Sequence, residues 1–224
     1  ICTHLAGAES IANFVRIDLQ LNRFREYCNW FKEYNIIPHA YHVACSAAAL
    51  TYPESQMDAV RFGISQYGFW PSHETRMHNL LSDSTRFQKD PLKRILSWKS
   101  HVMSIKSVKA GKFIGYGTSY MTNKTEKFAI IPVGYSAGFG RNLSNLGSVL
   151  IRGKLVPIAG MVNMNMVIAN ISTLPEVKRG DEVVIIGSQG KKTISVTSFS
   201  DLSRYVNYEM LTRLPERIPR VVIK

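Results

Sequence analysis

Apolar positions in the first third of the chain recur at helical spacing. Leu21, Phe24, Cys28 and Phe31 stand three, four and three residues apart among polar neighbours, on one face of a helix that Asn35 terminates. Ile36-Ile37-Pro38 leads into the short apolar run 41–44, which predicts a buried strand, and residues 46–50 open a short Ala-rich helix. The same order returns in weaker form, with 57–62 as a second strand ending at Gly63-Ile64. Alternation of this kind predicts a parallel α/β layer. The period changes after the polar, basic segment 82–93. From there the runs 102–108, 128–133, 149–151, 155–158, 166–171, 183–186 and 193–196 read as strands, separated by turns at Gly111, Gly153, Gly180 and Gly190. One short helix, 198–206, capped by Ser198 or Ser200, interrupts them. The expected organisation is an α/β part over 1–90 and a mostly β domain over 91–224, with no internal repeat.

With 224 residues, 45% hydrophobic and 20% charged, the chain has material for one large or two modest packed domains. No apolar run approaches the roughly 20 residues needed to cross a bilayer, and the opening ICTHLAGAES lacks the basic-then-apolar order of a secretory leader. A cytoplasmic protein with no membrane partner is the expectation. Three cysteines, Cys2, Cys28 and Cys45, are an odd number without metal-type pairing and read as free thiols. The net charge of +12 invites a nucleic-acid reading, but the basic residues are scattered, with Lys106, Lys109 and Lys112 set among apolar and small residues. No nucleic-acid partner is expected. Nor is a metal, since no His/Cys/Asp/Glu cluster has ligand spacing.

The candidate chemistry lies at a few punctuated positions. Tyr116 stands between Gly115 and Gly117, and Tyr135 follows Gly134, so two phenols sit where the backbone turns tightly or comes close to something else. Arg61, Gly63 and Ile64 fall where a strand ends, the edge at which ligands collect in parallel α/β folds, and the N–H groups of Gly63 and Ile64 suit a phosphate. The alternative is a surface ion pair beside an ordinary turn. Ser46 opens a helix, where it serves an anion or simply caps the helix. His4 is either a proton shuttle or a hydrogen-bonded structural group. Tyr208 could donate to a phosphate oxygen or lie buried, and Met164, in the alternating string Met161-Val162-Asn163-Met164-Asn165-Met166, reads first as flexible core.

Taken in order, these pieces resemble alanine racemase. The resemblance runs through Thr3-His4-Leu5-Ala6, His42-Val43-Ala44-Cys45-Ser46, Arg61-Phe62-Gly63-Ile64, Gly115-Tyr116-Gly117, Pro132-Val133-Gly134-Tyr135, residues 160–165, Gly180-Asp181-Glu182-Val183, Asn207-Tyr208-Glu209 and Arg217-Ile218-Pro219-Arg220. It implies the carboxy-terminal part of a TIM-type barrel followed by a β domain, and a homodimer whose active sites are shared between subunits. It also implies pyridoxal 5'-phosphate (PLP) as cofactor and interconversion of L- and D-alanine by two bases, supplying D-alanine for peptidoglycan.

On that resemblance Ser46, Gly63, Ile64 and Tyr208 hold the cofactor phosphate, and Arg61 faces the pyridine nitrogen. Tyr116, from the partner subunit and assisted by His4 and Arg61, is one catalytic base. Tyr135 and Arg141 line the substrate entrance, and the Met164 backbone approaches the substrate. The second base of the family, a lysine that also binds the cofactor, is expected to precede Ile1, so the chain alone is expected to be inactive. Four positions depart from the family pattern. Cys45 replaces an Asn, Met161 an Arg, and Asn165 and Ala137 each an Asp. They leave open a racemase of broader amino-acid specificity, and the expected lack of the lysine leaves open a non-catalytic PLP-binding or dimerising remnant.

Overall fold

The computed structural model describes residues 1–82, 90–196 and 207–223. Two compact units emerge, Ile1–Ile95 and Leu96–Lys224. In the first, α1 (Phe14–Glu33) buries Ile17, Leu21 and Phe24, with Cys28 and Phe31 half-buried further along. That apolar stripe packs with Leu5, Val43, Ala44, Ala47, Ala48 and Tyr52 into one core. Next comes α2 (Ser46–Thr51), where Ser46, Ala47, Ala48, Ala49 and Thr51 are all buried, small side chains letting the helix sit deep. A third helix, α3 (His73–Ser82), has no counterpart in the sequence reading because its composition is largely polar. Its first turn is held by Ser72, whose Oγ accepts from the Thr75 N–H at 3.0 Å.

The expected strands at 41–44 and 57–62 are corrected. Each is reduced to a single parallel bridge, Cys2 with His42 and Cys45 with Arg61. Met57 adopts a left-handed conformation, φ 43°, so an extended run cannot begin there. The parallel order still holds at the level of single hydrogen bonds. His42 N–H donates to Ile1 O at 3.1 Å, and Arg61 N–H to Ala44 O at 2.9 Å. Three successive segments therefore run side by side, and they carry His4, His42, Ser46 and Arg61 at or just beyond their ends.

The second unit is antiparallel throughout. Strands β1 (Trp98–His101), β4 (Ser148–Ile151), β5 (Lys154–Pro157), β7 (Glu182–Gln189) and β8 (Lys192–Ile194) form a five-stranded sheet in the order β1-β7-β4-β5, with β8 also on β7. A second sheet joins β2 (Ser104–Val108), β3 (Glu126–Ile131) and β6 (Val167–Asn170) in the order β2-β3-β6. Val149, Leu150 and Ile151 on β4, and Val183 to Ile186 on β7, are almost wholly buried, so both faces of these central strands are covered. β1 escaped the sequence reading because Trp98 is its one apolar residue. Its place comes from pairing with β7, Trp98 opposite Ile186. The run expected at 193–196 is shifted to Lys192–Ile194, and the helix expected at 198–206 lies outside the described residues. Beyond it stands α4 (Asn207–Thr212). Among the described residues no helix is long and apolar enough to cross a membrane, and no His/Cys/Asp/Glu group could hold a metal ion.

Candidate active site

Arg61 gathers the polar groups of the first unit. Its Nη1 lies 2.5 Å from His42 Nδ1, and its Nη2 donates to Thr3 O at 2.8 Å and Val43 O at 3.2 Å. The same Nη2 stands 3.5 Å from His4 Nδ1. A guanidinium has donors only, so His42 Nδ1 must accept, while the two hydrogens of Nη2 are met first by Thr3 O and Val43 O. That fixes the neutral His42 ring as the Nε2–H tautomer and leaves His4 beside Arg61 at contact distance. His42 is the residue that sequence reasoning missed. It stands in one of the family-like segments, but nothing local tied it to Arg61, 19 positions later.

Ser46 and Gly63 also meet. The Gly63 N–H donates to Ser46 Oγ at 3.0 Å, which leaves the hydroxyl proton of Ser46 available to another acceptor. Ser46 is the first residue of α2 and is 6% exposed. Ile64 opens a short 3-10 turn, Ile64–Tyr67, so its N–H lacks an acceptor within that turn. A Cβ added at Gly63 would meet nothing within 4 Å. Space therefore lies open over a hydroxyl and the amide that opens the turn, an arrangement suited to an oxyanion.

In the second unit Tyr116 projects from a loop closed by Ile114 N–H donating to Tyr120 O at 2.9 Å. Gly115, Gly117 and Thr118 have φ of 71°, 75° and 49°, a left-handed series that two glycines make accessible. Tyr116 is 74% exposed, and its hydroxyl has no hydrogen-bond partner among the described residues. Tyr120, four residues on, is spent structurally. Its hydroxyl donates to Glu126 Oε2 and accepts from Asn170 Nδ2, each at 2.9 Å, and burial followed by the bond to Glu126 holds its phenol above the ordinary range. The loop runs beside Met161, whose Cγ would lie 3.6 Å from a Cβ at Gly117.

Tyr135 and Met164 are brought together through the backbone. The N–H groups of Tyr135 and Ser136 donate to Asn163 O and Met164 O, each at 3.0 Å. Gly134 permits this, because a Cβ there would stand 2.1 Å from Asn163 O. Ser136 Oγ donates to Asn165 Oδ1 at 2.9 Å. Met164 is half-exposed, so the reading of it as flexible core is corrected: its main chain is anchored while its side chain faces outward. Tyr135 and Arg141 line a cleft of about 590 Å³ with Asn142 and Arg213. Arg213 is engaged in an ion pair with Glu209, so Arg141 is the guanidinium at this opening that suits a carboxylate-bearing ligand. Tyr208 lies on α4, partly exposed.

Comparison with known proteins adds a second line of observation. The family profile "Alanine racemase, C-terminal domain" matches residues 95–222, and "Alanine racemase, N-terminal domain" matches residues 1–71. The alanine racemase of Leptospira interrogans is 37% identical over 223 residues, covering 100% of this chain and 57% of its own length. Alanine racemase 2 of Bacillus subtilis is 35% identical over 225 residues, with 100% and 55% covered. Among solved structures, the alanine racemase from Bacillus anthracis with bound L-Ala-P superposes with a TM-score of 0.88 at 37% identity, covering 100% of this chain and 54% of that one. The enzyme from D-cycloserine-producing Streptomyces lavendulae gives 0.86 at 29% identity, covering 100% and 56%. The chain spans about half the length of the curated relatives it matches.

Proposed function

The chain belongs to the alanine racemase family, with the α/β-plus-β fold of a TIM-type barrel portion and a β domain, and we propose on that premise that it forms part of a PLP-dependent enzyme interconverting L- and D-alanine. The observation that carries this reading is the pairing, within one unit, of a donor-only Arg61 cluster with the anion-suited Ser46, Gly63 and Ile64. The residues fit the cofactor: a Cβ at Gly63 would occupy the space a phosphate needs, and the donors around it are uncharged hydroxyl and amide groups.

Ser46, Gly63 and Ile64 would hold the phosphate, with Tyr208 as a further donor, and Arg61 would face the pyridine nitrogen. PLP, when bound, supplies an electron sink that makes the α-proton of an amino acid removable. Arg61 tempers that sink because a guanidinium donates a hydrogen bond without giving up its proton. His4 stands with its Nδ1 toward Arg61 at 3.5 Å, and in the Nε2–H tautomer it would present a donor on its other side. Such a donor stabilises a phenolate, and a phenol, whose ordinary pKa is about 10, needs that help to act as a base near neutrality. Tyr116 is that base in this reading, donated by one subunit of a homodimer to the Arg61 and His4 of the other. Its exposure and lack of a partner within the described chain support the assignment. Met164 would meet the substrate through its anchored main chain, while Tyr135 and Arg141 screen entry and attract the substrate carboxylate.

We place the enzyme in the cytoplasm. The test is direct: the intact protein, supplied with PLP, should convert either pure alanine enantiomer to an equal mixture, followed by circular dichroism. Optical activity that persists from both starting enantiomers would defeat the proposal, and faster loss with other amino acids would favour the broader-specificity reading.

A further inference from the structure

We propose that Asn145 is a positioning residue that ties the loop carrying Tyr116 to the segment carrying Met164; the inference rests on the reading of Tyr116 as a base. Asn145 lies in the turn after Arg141–Leu143, with φ of 57°, a left-handed conformation that asparagine tolerates better than most residues. From there its side chain bonds in two directions. Oδ1 accepts from the Gly160 N–H at 2.6 Å, and Nδ2 donates to Ser119 O at 3.1 Å. A carboxamide serves both at once because it carries an acceptor and a donor on one plane, whereas an aspartate keeps only the acceptor.

The two ends of this tether differ in how well they are otherwise held. Residues 160–164 are gripped elsewhere, by Ser144 Oγ accepting from Val162 N–H at 3.0 Å and by Tyr135 and Ser136 donating to Asn163 and Met164. Between its closing bond, Ile114 to Tyr120, and its tip, the Tyr116 loop consists of Gly115, Tyr116, Gly117, Thr118 and Ser119, three of them in left-handed conformations. Among the described residues, Asn145 supplies the side-chain hydrogen bonds that join that loop to the firmly held segment. Proton transfer depends steeply on placement, so a tyrosine free to swing by an ångström loses much of its effect as a base. Asn145 thus acts through Tyr116 and does not touch the reacting atoms.

Two variants of the intact protein separate the tether from the fold. Asn145→Gly removes the side chain while keeping the left-handed turn accessible, and Asn145→Asp keeps the acceptor for Gly160 and loses the donor for Ser119. By amide hydrogen exchange, Asn145→Gly should accelerate by about tenfold, the share of one ordinary hydrogen bond, both the Gly160 amide and the Ile114 amide that closes the loop on Tyr120 O. Asn145→Asp should accelerate the Ile114 amide alone.

In racemisation of α-deuterated alanine, both variants should raise the isotope effect for the enantiomer whose hydrogen Tyr116 removes. Both should lower it for the other enantiomer, because return of a proton by Tyr116 is then the slow step. A merely structural role would lower the rates and leave the two isotope effects where they were. The tether is overturned if exchange of the Ile114 amide is unchanged in both variants, or if exchange rises uniformly across the second unit. If the wild-type protein fails to racemise alanine, the reading of Tyr116 falls, and the exchange measurement still decides the tether.

Discussion

Replacing Gly134 by alanine tests how the second unit assembles its part of the site. Gly134 has φ −147° and ψ −164°, extended values open to any residue, so the backbone itself raises no objection. Space does. The new Cβ would stand 2.1 Å from Asn163 O and 2.4 Å from Met164 O. Carbon and oxygen need about 3 Å or more, so the two strands of chain must part by nearly 1 Å. Those carbonyls are the acceptors for Tyr135 and Ser136, both at 3.0 Å, and an ångström more takes both bonds out of range. Two lost hydrogen bonds cost about 1 kcal/mol each. Overpacking against a backbone that cannot rotate away adds about 1–3 kcal/mol. The sum, about 3–5 kcal/mol, should lower the thermal midpoint of this unit by roughly 10–20 °C, measured by calorimetry. Gly111→Ala is the control, since it has φ of 74° and open space around it and should cost only about 1 kcal/mol. A Gly134→Ala protein melting within about 2 °C of the wild type would refute the steric argument.

Gly63→Ala should behave in the opposite way. Nothing crowds the added methyl, so the melting temperature should hold, while affinity for PLP falls by about tenfold or more as the methyl blocks approach to the amides; a spectroscopic titration decides it, and unaltered affinity would count against a phosphate there. Asp181 accepts from Arg152 Nε at 2.8 Å and from Lys178 N–H at 3.0 Å, and the Arg152 bond is the chief reason its carboxyl is held below the usual aspartate range. A depressed acid contributes fully above its unfolded pKa, and its contribution is lost as pH falls through the folded value. Midpoints taken below pH of about 4 should therefore drop more steeply in wild type than in Asp181→Asn. Parallel pH profiles would show that the carboxylate contributes nothing to folding.

Much of the fold was legible because single segments carried it. The three-four-three spacing of Leu21, Phe24, Cys28 and Phe31 marked α1, and the apolar runs at 149–151 and 183–186 marked β4 and β7, since strands buried on both faces must be apolar on both. What escaped depends on partners. Trp98 to His101 is a strand because β7 lies beside it, and α3 is a helix despite a polar sequence. The apolar run at 41–44 announced burial correctly at Val43 and Ala44 but not ladder length, whereas residues 57–60 are exposed and Met57 in its left-handed turn keeps an extended run from forming there. The same division holds for the site. Arg61, Ser46 and Gly63 could be picked out by residue type and position, as could Tyr116 between its glycines. His42 and Asn145 could not, because what distinguishes them is a contact with residues 19 or more positions away or on two separate loops.

The central claim, that Tyr116 is one of two bases, is tested most directly by hydrogen exchange at the substrate α-carbon. In deuterated water with PLP, the intact Tyr116→Phe protein should lose interconversion by about a hundredfold or more, the usual share of a general base. Overall rates alone cannot discriminate, because enantiomers of equal free energy must lose kcat/KM equally in both directions. Exchange with solvent does discriminate. One alanine enantiomer should continue to take up deuterium without inverting while the other stops. Continued uptake by both, at wild-type rates, would contradict it.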